Sequence, residues 1–397
     1  MRVVLLGLGT VGGAVATRLL DDDWRRDVEA RGLVGPELVA VGVRDPGRQR
    51  SVDLPKGVGL SDDLAGLVDD DGTDVVAELL GGLEPAGSLI RRALAAGKSV
   101  VTANKFLLAE RGPELEATAR RSGAALRFEA AVGGGIPVLA PLARDLAANR
   151  IERVRGIVNG TTNFILSGMA GAGRDYGEVL ADAQQRGYAE ADPSADVEGR
   201  DAAHKLVLLT RLAFGAWVQP AGISRSPATI ADGEATSAGI TGVTADHVSA
   251  AAAEGLTIKL VASVERTAGG RLAGFVEPCA VPSISVLGGT DGVTNVVEIT
   301  ARPLGTVHLR GPGAGGDATS SAVLADLLAL ARGDGSTWAT LPPARPTGEL
   351  DDSRRRAQRW LVPGAGVVGP ADLGAVRRSL AGRDLSAATP VYRLLED

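Results

Sequence analysis

The chain has 397 residues, 45% of them hydrophobic, which is enough to bury a large core and to fold as two or three domains. A net charge of −6 and a 3% aromatic content provide neither a basic face for phosphate backbones nor rings for stacking on bases, so a nucleic-acid partner is not expected. No apolar run approaches ~20 residues free of glycine and charge, Met1 leads straight into the strand-like RVVLLGLG, and the single Cys279, read as a core residue, permits no intramolecular disulfide; a cytoplasmic chain with no membrane partner is expected.

RVVLLGLGTVGGAVATRLL reads as an apolar strand, a glycine motif and a helix with Ala14, Val15 and Leu19 facing inward. Gly7, Gly9 and Gly12, with Thr10 and Val11 between them, allow a tight turn and close approach of backbone to a pyrophosphate on the helix N-terminus, which predicts a Rossmann-type site. The next strand, ELVAVGVRD, ends at Arg44 and Asp45. An arginine there accommodates a 2′-phosphate and an acid bonds a 2′-hydroxyl. Arg44, followed by Arg48, therefore favours NADP, while Asp45 keeps NAD open.

TDVVAELLGG, LIRRALAAGKSVVTANKFLLAE and ELEATARRSGAALRFEAAVGGGIPVLAPLARDL continue the alternation of a doubly wound parallel sheet. Glu78 to Gly82, including Leu80 and Gly81, and Thr102 to Lys105 fall at strand carboxyl ends, where ligands of such sheets bind; both are expected at the nicotinamide end. From Gly156 to about His308, strand-like VRGIVNGTT, TIKLVASVER, GFVEPCAVP and NVVEITARP alternate with helices, as in an α+β domain. GPGAGGDATSSAVLADLLALAR then reads as a glycine-rich loop feeding a helix that packs back on the first domain. The expected fold is α/β: an N-terminal Rossmann-type doubly wound sheet (1–150), an α+β substrate-binding, catalytic and dimerisation domain (151–310), the loop and helix (311–335), and a tail (336–397) with no assigned role.

Between Gly187 and Lys205 the chain crowds Glu190, Asp192, Asp196, Glu198, Asp201 and Lys205 around a Pro-Ser break, with Asp192-Pro193-Ser194 as a turn and cap. That density suits a small cationic or zwitterionic substrate. Asp201 and Lys205 share one helix face, where a carboxylate can orient an ammonium that acts as proton donor. A solvated charge cluster at a helix N-terminus is the plainer alternative. Among 42 basic residues only Lys56, Lys98, Lys105, Lys205 and Lys259 are lysines, so a lysine kept in VTANK or in the acidic segment points to a need for a tunable ammonium. Lys56 and Lys98 are read as surface residues and His204 as a helix packing residue; His247 and His308 lack companions at metal-ligand spacing.

Taken in order, GLGTVG, VTANK, FEAAVGGGIPVL, GIVNGTTNFIL, GYAEADPSADVEGRDAAHKL, GLTIKLVA and GPGAGG resemble homoserine dehydrogenase, over Met1 to about Gly333. The resemblance implies reversible, nicotinamide-dependent interconversion of aspartate 4-semialdehyde and homoserine. It makes Lys205 the proton donor and Lys105 its companion at the reacting oxygen and the cofactor. Glu190 and Asp201 become substrate ligands with Asp196 near them, Thr161 and the amides by Gly160 face the substrate carboxylate, and Gly187 and Gly315 touch the cofactor.

It further implies a sodium-type site built by Glu129, Val132, Gly134 and Ile136, mostly through backbone carbonyls, for which a glycine-rich turn is the alternative, and assembly as a homodimer or dimer of dimers. The family's longer members carry a regulatory module of two βαβ units, for which the Pro/Gly- and charge-rich tail is too short. The chemistry agrees: acids suit the semialdehyde's α-ammonium, backbone amides its carboxylate, and a lysine the alkoxide that forms on hydride addition. The competing functions are a dehydrogenase of this architecture for another amino-acid semialdehyde, and a catalytically silent nucleotide sensor, which would be expected to lack Lys105, Lys205 or Asp201.

Overall fold

The computed structural model describes all residues except 51, 231–236, 345–349 and 397. They form two compact units: 1–148 with 208–217 and 312–347, and 149–207 with 218–311 and 348–397. Among the described residues no helix is long and apolar enough to cross a membrane.

In the first unit, β1 (Arg2–Leu6), β2 (Glu37–Gly42), β3 (Gly59–Ser61), β4 (Val75–Glu78), β5 (Ser99–Thr102) and β6 (Leu126–Arg127) pair in parallel in the order β3-β2-β1-β4-β5-β6. The connections carry α1 (Thr10–Leu20), α2 (Asp22–Ala30), α3 (Leu64–Asp69), α4 (Ala86–Ala95) and α5 (Lys105–Ser122), and α6 (Leu139–Ala143) follows the last strand. The central strands are buried along nearly their whole length, as expected of a parallel sheet covered on both faces. Strand order reverses between β1 and β4, which is where such sheets open a ligand crevice.

A late helix, Gly316–Ala331, belongs to this unit: Val323, Leu324 and Leu327 join Val15, Ala16 and Leu19 of α1 over Val3 and Leu5 of β1. Residues 208–217 are held here by a buried carboxylate. Glu116 of α5 accepts from Arg211 Nε at 2.9 Å and Nη2 at 2.6 Å, and from Trp217 Nε1 at 2.8 Å.

The second unit contains α7 (Gly160–Ala172), α8 (Tyr176–Gln185), α9 (Ser194–Val197), the first half of α10 (Arg200–Phe214) and α11 (Ala245–Ala253). Its strands are β7 (Arg150–Ile157), β8 (Ala228–Thr229), β9 (Leu256–Arg266), β10 (Leu272–Pro282), β11 (Thr294–Arg302), β12 (Gly305–Pro312), β13 (Gln358–Val362), β14 (Gly366–Ala371) and β15 (Pro390–Leu394). The helix at Gly316–Ala331 is α12, and α13 spans Leu373–Leu380. The sheet runs β12-β11-β7-β9-β10-β15-β13-β14, with β8 paired to β15. VRGIVNGTT is not strand throughout. It leaves the sheet at Ile157 because the Asn159 side chain caps α7, accepting from the Thr162 amide at 2.8 Å.

The C-terminal residues extend this sheet and bury Trp360, Val362, Leu373, Val376, Leu380 and Val391 together. One carboxylate anchors them. Glu277 of β10, 2% exposed, accepts from Arg393 Nε at 2.8 Å, Arg354 Nη2 at 2.7 Å and Ser224 Oγ at 2.6 Å. The Arg393 guanidinium also lies 4.4 Å from the Phe275 ring centroid. Glu277→Ala strands two buried guanidinium groups and is expected to cost about 3–5 kcal/mol of unfolding free energy. Chemical denaturation checks this; a loss below about 1 kcal/mol would mean the network does not anchor the C-terminal strands.

Candidate active site

In the first unit, backbone at Gly7 has φ +100°, a conformation L side chains rarely adopt, and a Cβ there would lie 2.6 Å from the Leu79 carbonyl oxygen. Gly7 therefore lets the loop after β1 press against the loop after β4. A Cβ on Gly12 would strike the Gly7 carbonyl. Gly9 is different: a Cβ there meets nothing within 4 Å, and Gly9 caps α1 with no side-chain bond. The first amides of α1, at Thr10 and Val11, thus begin beside open space at Gly9, at the kind of helix N-terminus that attracts anions. Gly315, at φ +107°, precedes α12, where a Cβ on Gly316 would come within 3.1 Å of the Thr10 carbonyl oxygen.

The loops carrying Leu80, Gly81 and Lys105 are tied together from beneath. Glu78, fully buried at the end of β4, accepts from the Leu80 amide at 2.8 Å, the Gly81 amide at 3.1 Å and Thr102 Oγ1 at 2.6 Å. Asn104 then donates to the Gly82 carbonyl at 2.8 Å while its Oδ1 accepts from the Leu107 amide at 3.1 Å, capping α5, whose first residue is Lys105. Burial pushes the Glu78 carboxyl above its usual range, against the pull of these donors.

In the second unit, Lys205 and Asp201 of α10 form a buried pair: Lys205 Nζ lies 2.7 Å from Asp201 Oδ2 and donates to the Val158 carbonyl at 2.6 Å, and the residues are 8% and 9% exposed. Asn159 donates to Asp201 Oδ2 at 2.9 Å and to Asp196 Oδ1 at 2.7 Å. Thr161 Oγ1 reaches the Tyr188 carbonyl at 2.7 Å and Asp196 Oδ2 at 3.2 Å. Burial, then the neighbouring Asp201 carboxylate, raises the Asp196 carboxyl. Gly160 opens α7 close to the loop before β11, since a Cβ there would meet the Val293 carbonyl oxygen at 2.8 Å.

Thr161, Asp196, Asp201 and Lys205 are therefore one hydrogen-bonded cluster within the second unit, with Gly160 beside it. Glu190 and Gly187 lie on the neighbouring exposed segment, Glu190 without a side-chain hydrogen bond among the described residues. One contributor escaped the sequence reading. Asn159 was legible only as the turn of Asn-Gly-Thr-Thr, although an Asn before a helical run is a cap signal. Glu78 was placed at the strand end with Thr102, but its hydrogen bonds across the two loops were not read, although a lone acid in an apolar strand is a signal of its own.

Glu129, read as a cation ligand, places its carboxylate on three amides at the start of α6, Val138 at 2.6 Å, Leu139 at 2.8 Å and Ala140 at 2.7 Å. Burial and the adjacent Asp326 carboxylate push it up to about 7. Gly133 and Gly134 have φ of +76° and +56°, and a Cβ on Gly134 would sit 2.5 Å from Gly313, so a tight glycine turn is present. Among the described residues no cluster of three or more His, Cys, Asp or Glu could hold a metal ion.

A parallel sheet with a glycine cradle at its switch point, joined in one chain to a buried lysine and carboxylate cluster, defines a nicotinamide-dependent oxidoreductase. Residues 7–129 match the family model for homoserine dehydrogenase, NAD binding domain, and residues 137–328 the model for homoserine dehydrogenase. Homoserine dehydrogenase of Synechocystis sp. is 43% identical over 331 residues, 83% of this chain and 72% of that protein. The crystal structure of a homoserine dehydrogenase from Thiobacillus denitrificans matches with a TM-score of 0.83 at 32% identity, covering 100% of this chain and 98% of that one. A hyperthermophilic archaeal homoserine dehydrogenase in complex with NADPH matches with a TM-score of 0.66 at 25% identity, covering 83% and 96%. The chain belongs to the homoserine dehydrogenase family, NAD(P)-dependent oxidoreductases.

The glycine geometry separates two substitutions. Gly12→Ala is expected to lower unfolding free energy by about 2 kcal/mol or more, because the methyl meets backbone, whereas Gly9→Ala changes it by less than about 1 kcal/mol. Equal losses in thermal or chemical unfolding would contradict the packing described for the loop after β1.

Proposed function

We propose that the chain reversibly interconverts L-aspartate 4-semialdehyde and L-homoserine, with Lys205 as the proton donor. The buried Lys205–Asp201 pair carries this reading: the ammonium is oriented by Asp201 and the Val158 carbonyl, leaving one N–H without a partner among the described hydrogen bonds. A reduced nicotinamide, when bound, supplies the hydride to the aldehyde carbon. Lys205 stabilises the charge developing on the aldehyde oxygen and transfers its proton there, completing the alcohol; in the reverse direction it accepts that proton. Lys105 acts beside it at the oxygen and the cofactor. Glu190 and Asp196, with Asp201, receive the α-ammonium, while Thr161 and the amides around Gly160 receive the carboxylate.

For the dinucleotide, Gly7, Gly9, Thr10, Val11 and Gly12 hold the pyrophosphate, Leu80 and Gly81 flank the nicotinamide, and Gly187 and Gly315 complete its surroundings. NADP is the favoured form. Arg44 and Arg48 are exposed just beyond β2, whereas Asp45, the competing ribose ligand, turns its carboxylate onto the Gly47 amide at 2.9 Å. The NADPH complex of the archaeal relative agrees with this choice.

A sodium-type ion at Glu129, Val132, Gly134 and Ile136 belongs to the same proposal; among the described residues the carbonyls of the last three accept no backbone hydrogen bond, and that of Glu129 only a long one from the Val132 amide at 3.4 Å. Assembly as a homodimer or a dimer of dimers is proposed from the family resemblance.

Lys205→Ala is expected to lower turnover by roughly 10² to 10⁴ while dinucleotide binding, followed by fluorescence, stays near wild type. Lys205→Arg should not rescue, because a guanidinium is a poor proton donor near neutral pH. A folded Lys205→Ala protein keeping more than about a tenth of wild-type turnover is incompatible with the donor role. Arg44→Ala is expected to raise the NADPH Michaelis constant roughly tenfold or more and to leave NADH nearly unchanged. Equal effects on the two cofactors would remove Arg44 from the 2′-phosphate.

A further inference from the structure

Beside Lys205, the side chain of Asn159 has both its amide nitrogen and its oxygen committed. Its amide nitrogen donates to Asp196 Oδ1 at 2.7 Å and to Asp201 Oδ2 at 2.9 Å, and its oxygen accepts from the Thr162 amide at 2.8 Å. The orientation of the amide is fixed by chemistry: turned over, its oxygen would face two carboxylates and its NH₂ would face an N–H donor. Asp201 Oδ2 is the atom that also meets Lys205 Nζ, and Val158, whose carbonyl takes a second Lys205 proton, is the residue before Asn159. Two adjacent residues at the exit of β7 thus hold the lysine and its carboxylate from opposite ends.

We propose that Asn159 is the positioning residue of this cluster, its single carboxamide setting the orientation of Asp201, and through it of Lys205, while tying Asp196 to the same point. The inference rests on the reading of Lys205 as proton donor. Asp196 and Asp201 are like charges in a buried site, and a neutral amide is the one side chain that donates to both without adding charge while still capping the helix. An aspartate at position 159 would cap α7 equally well but would place a third carboxylate against the other two. A serine would cap it and bridge nothing. The charged and polar groups facing Asn159 and Asp196 are Asp201 and Lys205 from α10 and Thr161 from α7, with the Tyr188 carbonyl from the segment after α8.

The test is steady-state kinetics across pH on the full chain with homoserine and NADP, for Asn159→Ser and Asn159→Asp beside Lys205→Ala. Asn159→Ser keeps the cap, so thermal stability and NADPH fluorescence should stay near wild type. Its kcat should fall about tenfold or more. In this direction Lys205 must be neutral to accept the proton, so it sets the acid limb of the kcat/KM profile. Without the Asn159 donor the Asp201 charge is less satisfied and holds the Lys205 proton more tightly, moving that limb to higher pH by about half a unit or more. Asn159→Asp should lose more and shift further in the same direction; it serves alone if the serine variant does not fold. A purely structural role would lower the yield of active protein and leave the pH profile in place. Asn159 variants within about twofold of wild type in kcat with an unmoved acid limb, alongside an inactive Lys205→Ala, would overturn the inference and leave the donor reading intact. An active Lys205→Ala would overturn both.

Discussion

The second unit depends on keeping one ammonium dry. Moving Lys205 and Asp201 out of water costs several kcal/mol per ion, and their attraction offsets this only when the remaining donors and acceptors are also satisfied. The Val158 carbonyl and the Asn159 amide meet that condition, which is why the chain leaves β7 at Ile157 and enters a capped helix two residues later. A buried pair of this kind adds little to stability compared with apolar residues of equal volume. Its value is orientation: an ammonium held at fixed distance and angle stabilises an oxyanion with no reorganisation at the moment of reaction.

Buried acids elsewhere divide by partner. Glu116, Glu277 and Asp326 are each met by an arginine, the bidentate or forked donor suited to a permanent structural charge. Glu78 and Glu129 are met by hydroxyl or backbone amide donors and Asp196 by Asn159 and Thr161; burial raises all three carboxyls, as it raises that of Asp326 despite its arginine. The first group pins chain segments distant in sequence. The second surrounds loops where function is proposed.

Much of the first unit was legible because its signals are local. A strand, a glycine turn and a helix at the N-terminus, followed by alternating apolar strands, specify the sheet order through connection rules. The acidic segment was legible as a cluster since Asp201 and Lys205 share a helix face. Three things were not. The lysine argument marks Lys205 but does not exclude structural use, for Lys259 is more deeply buried and binds Asn163, Ser167, the Thr290 carbonyl and Asp291. The contribution of residues 208–217 to the first unit rests on Glu116 meeting Arg211 and Trp217 across about a hundred positions of sequence, which periodicity cannot reveal. The C-terminal strands read as a polar tail because their anchor, Arg393 on Glu277, is likewise a long-range pair.

The measurement that bears most directly on the account is the appearance of reduced nicotinamide absorbance when the purified chain is mixed with L-homoserine and either NADP or NAD. The account predicts saturable formation of reduced cofactor with homoserine, faster with NADP, and its consumption when aspartate 4-semialdehyde is supplied instead. No rate with either cofactor, from a folded protein that binds NADPH, would contradict it.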